Sequence, residues 1–273
     1  MIVVCAVCAA TVLDGDRFCE QCGARVELPS SDLGCAAAVT ERGRTHERNE
    51  DAYALRMNSD GAVAAVVCDG ISTAHSGDLA ARAAATAAAG VLADALANGA
   101  RGGELAAATR VAARAARDVV LQIPFSAGSD LALPSCTFVS AACRGDEAVI
   151  GWIGDSRAYW LAEGDARRLT VDDSWATEQI ADGLLSAAAA AADHRSHALT
   201  HWIGADAPDD EPQVLAFHLE GPGRLILCSD GLWNYAPEAH DLAAVVANLE
   251  RGASPAAVAR SLTDTAMARG GRD

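Results

Sequence analysis

The chain contains no lysine; all 21 of its basic residues are arginine. With the marked alanine bias, this is a coding-composition effect and carries no mechanistic information. Positive charge is scarce as well. Against 37 acidic residues the formal net charge is −16, which opposes broad electrostatic adhesion to nucleic acid or anionic lipid. No uninterrupted apolar run approaches the roughly 20 residues of a membrane span, and no basic segment followed by an apolar one opens the chain. These absences lead to the expectation of a soluble, cytoplasmic protein with protein or metal partners, no membrane partner and no nucleic acid. What is present is globular in kind. The 273 residues, 51% hydrophobic and 21% charged, suffice for one full core with a small appendage or two ordinary domains, and they exclude wholesale disorder and collagen-like or coiled-coil classes.

Nine cysteines are an odd number, and four of them form two C-x-x-C pairs, which is zinc usage more than disulfide usage and implies a reducing compartment. They set residues 1–28 apart as a small module. Pro29, Ser30, Ser31 and Asp32 begin a linker over 29–37, and residues 38–273 form the large module. There AVAAVVCDG (62–70), CTFVSAAC (136–143), EAVIGWIGDSRAYWL (147–161), QVLAFHL (213–219) and RLILCSDG (224–231) are β-type runs bounded by Gly, Asp or Pro. Two alanine-rich stretches, 78–97 and 103–122, read as a helical hairpin, with Arg110, Arg114 and Arg117 on one exposed face. Pro237 is expected to open a later helix, and Ser254 to cap another that starts at Pro255 and stops at Gly270-Gly271. The low-complexity run SAAAAAA (186–192) is helical or a mobile insert. Strands, helix pair, strands, helix pair predicts an α+β fold: an antiparallel β-sandwich flanked by paired helices, preceded by a small zinc ribbon.

The spacing C-x2-C-x10-C-x2-C places Cys5, Cys8, Cys19 and Cys22 as four soft ligands in two knuckles, suited to one tetrahedral Zn²⁺. Asp14-Gly15 between Val12-Leu13 and Arg17-Phe18 reads as a hairpin turn, so this segment resembles a zinc ribbon. Four cysteine ligands leave no open position for a catalytic water, which makes the zinc structural; redox use and coincidence are the alternatives. Ribbons contact nucleic acid or protein, and the acidity of the chain favours protein contact or simple stabilisation. Cys35, Cys68, Cys136, Cys143 and Cys228 lack ligand spacing and read as small core residues.

Acidic motifs recur in the large module: RNEDA (48–52), CDG (68–70), IGDSRAY (153–159), CSDG (228–231) and GGRD (270–273). Several end a hydrophobic strand. A strand that delivers aspartate at its tip, followed by glycine, puts carboxylate oxygens at a sheet rim with backbone free to approach a ligand. One Asp-Gly alone is a turn signal. Several together build an acidic pocket that requires cations, and hard oxygen donors favour Mg²⁺ or Mn²⁺.

In order, G-x-x-H-x-x-NEDA, VVCDG, GDSRAYWL, LTVDDSW (169–175), ALTHWIG (198–204) and LILCSDGLW resemble the metal-dependent serine/threonine phosphatases of type 2C, the PPM family. The resemblance covers about 38–273. It implies that Asp69 bridges two Mg²⁺ or Mn²⁺ ions with the Gly70 carbonyl on one of them. Asp230 and Asp273 would complete the first shell, Glu50 would reach the second ion through water, and Asp51 would hydrogen-bond metal-bound water. Asp155 with Asp230 would offer a third, weaker site. Two ions about 3.5–4 Å apart ready a shared water for in-line attack, so no nucleophilic side chain is needed. The large module contains no C-x5-R loop, in agreement.

The chain departs from the family in places. His46, flanked by Arg44 and Arg48, stands where a phosphate-clamping arginine is usual, and imidazole cannot grip phosphate bidentately. His46 or Arg44 would then contact phosphate. Ile71 replaces a histidine proposed as general acid in many members, His75 nearby is a weak substitute, and Asp173 stands in place of another histidine with no assigned role. Beyond Asp273 the family continues with one more apolar strand, so the domain reads as lacking its last strand. The resemblance thus implies a phosphoserine/phosphothreonine phosphatase acting on phosphorylated proteins opposite a serine/threonine kinase pathway. The alternative is a weak or dead pseudophosphatase that binds phosphoproteins as a scaffold.

Overall fold

The computed structural model describes residues 3–4, 8, 10–12, 19–23, 30–74, 76–125, 132–208 and 211–272. At the N-terminus β1 (Val3–Val4) pairs antiparallel with β2 (Thr11–Val12). The turn expected at Asp14-Gly15 lies outside the described residues, as do Cys5, His75 and Asp273.

The expected linker is instead folded. β3 (Ser30–Asp32) and β4 (Ala37–Val39) form a hairpin. Asp32 Oδ1 accepts the Gly34 N–H at 2.8 Å, Gly34 sits at φ 80°, and the Leu33 N–H donates to the Ala36 carbonyl at 2.8 Å. Together these make a tight turn that only glycine fits without strain.

Two antiparallel sheets follow. The larger is ordered β13-β9-β8-β6-β5, from β5 (Asp51–Met57), β6 (Val63–Asp69), β8 (Phe138–Arg144), β9 (Glu147–Ile153) and β13 (Gln213–His218). The smaller is ordered β11-β10-β14, from β10 (Arg157–Ala162), β11 (Asp165–Arg168) and β14 (Gly223–Cys228). The short β7 (Ser135–Cys136) pairs with β12 (Ile203–Gly204). The run 147–161, expected as one β segment, is two strands in different sheets. The chain turns over Gly154–Ser156, with Gly154 at φ 97° and its N–H held by Asp173 Oδ2 at 2.8 Å.

Helices α1 (Gly77–Ala97) and α2 (Gly102–Val120) form the predicted hairpin against the larger sheet. Their shared core is built on Ala80, Ala84, Ala88, Leu92, Leu105 and Ala112, with Val66, Cys68 and Phe138 from the strands. Small side chains let the helices sit close to each other and to the sheet. By length and composition alone α1 is long and apolar enough to cross a membrane, although Asp78, Arg82 and Asp94 interrupt it, so its apolar run is not continuous. Its buried face, from Ala80 to Leu96, lies in this core.

Between the sheets Val139, Ile150 and Trp152 meet Leu225 and Leu227. Behind the smaller sheet α5 (Asp230–Trp233), α6 (Ala239–Ala247) and α7 (Pro255–Arg269) close a third core around Tyr159, Trp233, Leu242 and Leu262. Ser254 caps α7 by accepting the Ala257 N–H at 3.2 Å, as expected. Pro237 does not open α6. Glu238 is its N-cap, and the Pro237 carbonyl instead receives Tyr159 Oη at 3.1 Å. The short α3 (Trp175–Ala181) and α4 (Ala187–Ala191) lie in a connection after the second sheet's hairpin, so the alanine run is helical over five residues. A cavity of about 440 Å³ lies between β4 and β14, lined by Ala37, Val39, Leu225, Leu227, Val258 and Leu262.

Candidate active site

Strand β6 alternates strictly: Ala64, Val66 and Cys68 are buried toward the helices, while Val63, Ala65, Val67 and Asp69 share the other face. The period of two thus carries Asp69 to the strand tip on the side of the second sheet. Across the ladder Asp51 lies directly opposite Asp69, and the Gly70 N–H donates to the Glu50 carbonyl at 3.0 Å. Two carboxylates facing each other across an antiparallel pair are destabilising unless a cation sits between them.

Gly70 is required by close approach. A Cβ there would lie 2.5 Å from both the C and O of Gly77, at the start of α1, and 2.8 Å from the Glu50 carbonyl.

The second sheet adds the rest. Ser229, following β14, donates its hydroxyl to Asp51 Oδ2 at 2.7 Å. Asp230 is the first residue of α5 and accepts from Asn234 Nδ2 at 3.1 Å. Asp155, in the turn between β9 and β10, is 8% exposed, and its carbonyl receives the indole N–H of Trp233 at 2.9 Å. The single short helix α5 therefore ties Asp155 to Asp230. Burial, reinforced by the charge of Asp172 and partly offset by Arg157, pushes the Asp155 carboxyl up to about 7.

The donor set fits a hard divalent cation. Every candidate atom is an oxygen, and Glu50 Oε2 is shut off from solvent with no hydrogen bond, 3.4 Å from His46 Nδ1. Glu50, Asp51, Asp69, Gly70, Asp155 and Asp230 are brought to one region by these contacts. Asp273 lies outside the described residues, but Gly271 and Arg272 accept the N–H groups of Arg44 and Thr45 at 2.8 and 3.3 Å, so the chain arrives beside the loop leading to Glu50.

Arg44 has a partner within the fold. Its guanidinium is exposed and donates to the Met267 carbonyl at 2.9 Å, which fastens this loop to the last turn of α7. His46 stays beside Glu50.

Sequence reasoning left several supporting residues unassigned although most lay inside the quoted motifs. Arg157 grips Asp172 with Nε to Oδ1 at 2.9 Å and NH2 to Oδ2 at 2.6 Å, and its guanidinium covers the Trp233 ring at 3.7 Å. Asp173 holds the Gly154 N–H and receives Gln213 Nε2 at 2.6 Å. Thr137 and Ser229 carried no signal beyond their position beside motif residues.

In the small module the Sγ atoms of Cys8, Cys19 and Cys22 all lie within 4.8 Å of one another, with Cys8 and Cys19 at 3.5 Å. The Gly23 N–H closes the second knuckle on the Cys19 carbonyl at 2.8 Å. Of the other cysteines, Cys68, Cys136 and Cys228 are buried as expected, and burial raises the thiols of Cys68 and Cys228 and pushes that of Cys143 up to about 12. Cys35 is exposed rather than core, 3.5 Å from Met57 Sδ.

An α+β sandwich whose two sheets bring acidic residues to one rim is a framework suited to divalent-cation chemistry. Residues 40–265 match the family model for protein phosphatase 2C, and the chain belongs to that family of metal-dependent phosphoprotein phosphatases. It is similar to the serine/threonine phosphatase stp of Listeria welshimeri, 29% identical over 201 residues that cover 73% of this chain and 78% of the relative. A Mycoplasma genitalium protein described as a putative protein phosphatase is 26% identical over 203 residues, 72% of this chain and 77% of that one. Among solved structures, an S. agalactiae serine/threonine phosphatase superposes with TM-score 0.72 at 23% identity, covering 90% of this chain and 96% of that one. The catalytic domain of the phosphatase PstP in complex with two manganese ions gives TM-score 0.62 at 22% identity, over 90% and 94%. No comparison favours the pseudophosphatase alternative.

Proposed function

We propose that this protein removes phosphate from phosphoserine and phosphothreonine in other proteins, using two Mg²⁺ or Mn²⁺ ions held by Glu50, Asp69, the Gly70 carbonyl, Asp230 and Asp273, with Asp155 and Asp230 available to a third. The observation that carries this reading is the pairing of Asp51 with Asp69 across β5 and β6, with Ser229 of the second sheet bonded to Asp51. When bound, such ions polarise phosphoryl oxygens and make a water acidic enough to serve as nucleophile near neutral pH. The chain's own residues do the remainder. Asp51, oriented by Ser229, is placed to accept a hydrogen bond from the attacking water. His46 offers phosphate at most a single hydrogen bond where a guanidinium would offer two, so substrate grip is weak and falls mainly to the cation sites. No side chain becomes covalently modified.

The cysteine module is read as a structural zinc site of Cys5, Cys8, Cys19 and Cys22. The clustering of three of these sulfurs supports it. Zinc thiolates and thiols left free suit a reducing, cytoplasmic setting opposite a serine/threonine kinase.

The test is phosphate release from a phosphothreonine peptide with Mn²⁺, for the wild type and for Asp69→Asn and Asp230→Asn. Turnover that is lost on chelation and in both variants is expected; equal rates in all three proteins would reject the reading.

A further inference from the structure

Behind the carboxylates lies a buried pair of hydroxyls that the catalytic reading does not use. Thr137 occupies the one-residue gap between β7 and β8 and is 2% exposed, and Ser156 ends the turn between β9 and β10 and is 1% exposed. Their oxygens are 2.7 Å apart. Thr137 Oγ1 also accepts the N–H of Asp69 at 3.1 Å, while the Thr137 N–H donates to the Asp69 carbonyl at 2.8 Å. One residue therefore holds the peptide groups on both sides of the Asp69 Cα. Its methyl group fills the space beside the turn, since a Cβ on Gly154 would lie 2.9 Å from Thr137 Cγ2. The same turn is held from two other sides, by Asp173 on the Gly154 N–H and by Trp233 on the Asp155 carbonyl.

We infer that Thr137 is a positioning residue: its hydroxyl, shared between the Asp69 backbone and Ser156, fixes the strand tip carrying Asp69 relative to the turn carrying Asp155, so that the carboxylate set is assembled before a cation arrives. The inference rests on Asp69 and Asp155 being cation ligands. Its physical basis is that groups which orient a ligand carry a large share of metal affinity, commonly 10–100-fold. Valine reproduces the shape of threonine without the hydroxyl. It would leave the Asp69 N–H and the Ser156 hydroxyl facing a methyl group in a dry environment.

The experiment is calorimetric titration of the full chain with MnCl₂, paired with thermal unfolding of the metal-free protein. Thr137→Val is expected to weaken Mn²⁺ binding about 10-fold or more while unfolding cooperatively, with an activity deficit that shrinks as Mn²⁺ is raised. Thr137→Ser, which keeps the hydroxyl, is expected to recover the wild-type affinity. Ser156→Ala keeps both Asp69 contacts and is expected to lose part of the affinity; it decides the matter even if the valine variant fails to fold. Wild-type Mn²⁺ affinity in Thr137→Val or in Ser156→Ala, with binding abolished in Asp69→Asn, would overturn the role of Thr137. Undiminished binding in Asp69→Asn would instead overturn the ligand assignment beneath it.

Discussion

Ser229 reaches across 178 positions of sequence to donate its hydroxyl to Asp51 Oδ2 at 2.7 Å, which makes it a direct tie between the two sheets at the acidic rim. Ser229 is 8% exposed, so the bond is shielded from competing water. Ser229→Ala is expected to cost about 1 kcal/mol of stability and to lower kcat more than it raises KM, because Asp51 loses the hydroxyl that orients it. Urea unfolding and steady-state kinetics on a phosphopeptide check both; an unchanged kcat would separate Asp51 from the chemistry.

The Asp155 carboxyl moves from 3.8 to about 7 on folding. Between those values the folded state binds more protons than the unfolded one, so the metal-free protein loses stability as pH rises from about 4 to about 7 and levels off above. A cation favours the ionised form, so stabilisation by Mn²⁺ should grow across the same window. Melting curves with chelator and with Mn²⁺ at several pH values measure this. Asp155→Asn should flatten the metal-free profile, and a slope equal to wild type would assign it to other groups.

Arg157 and Asp172 form a nearly buried pair, 8% and 11% exposed at their side chains, and the guanidinium also lies on Trp233. Removing Arg157 leaves Asp172 only the longer contact with Arg168 at 3.6 Å, so Arg157→Ala should cost about 3 kcal/mol. Arg157→Lys keeps the charge but not the two-pronged contact, and should cost about 2 kcal/mol. Denaturant unfolding of both variants reads the difference; equal losses would mean that charge alone matters.

Gly70 and Gly90 make opposite forecasts for the same change. At Gly70 an added Cβ meets backbone at 2.5 Å, and Gly70→Ala should destabilise by about 3 kcal/mol and reduce Mn²⁺ affinity. At Gly90, within α1, nothing lies within 4 Å, and Gly90→Ala should stabilise by about 0.5–1 kcal/mol. Thermal unfolding of the two variants side by side is sufficient.

The sulfur cluster forecasts one tightly held Zn²⁺ per chain, released by a mercurial reagent. Cys8→Ser and Cys22→Ser should lower the stoichiometry measured by elemental analysis. Full zinc content in both variants would move the metal elsewhere.

The sandwich was legible because β6, β8, β9 and β14 are apolar runs ended by turn residues, and because the alanine stretches share one helical period. The acidic positions were legible for the same reason, as aspartates standing where such runs stop. What stayed hidden depends on contacts distant in sequence. The break of 147–161 into two sheets depends on Asp173 holding Gly154 from 19 positions away. The bond that ties Arg44 to Met267 spans 223 positions. The β3–β4 hairpin was obscured by its three-residue strands and by the Pro29-Ser30-Ser31-Asp32 start, which reads equally as a linker. Thr137 looks like any strand residue until its hydroxyl is seen between Asp69 and Ser156.

Ala80, Ala84, Ala88 and Ala112, which line the core between the helical hairpin and the larger sheet, have no rotamers to exchange. At those four points of contact a larger residue could enter only by prying backbone apart.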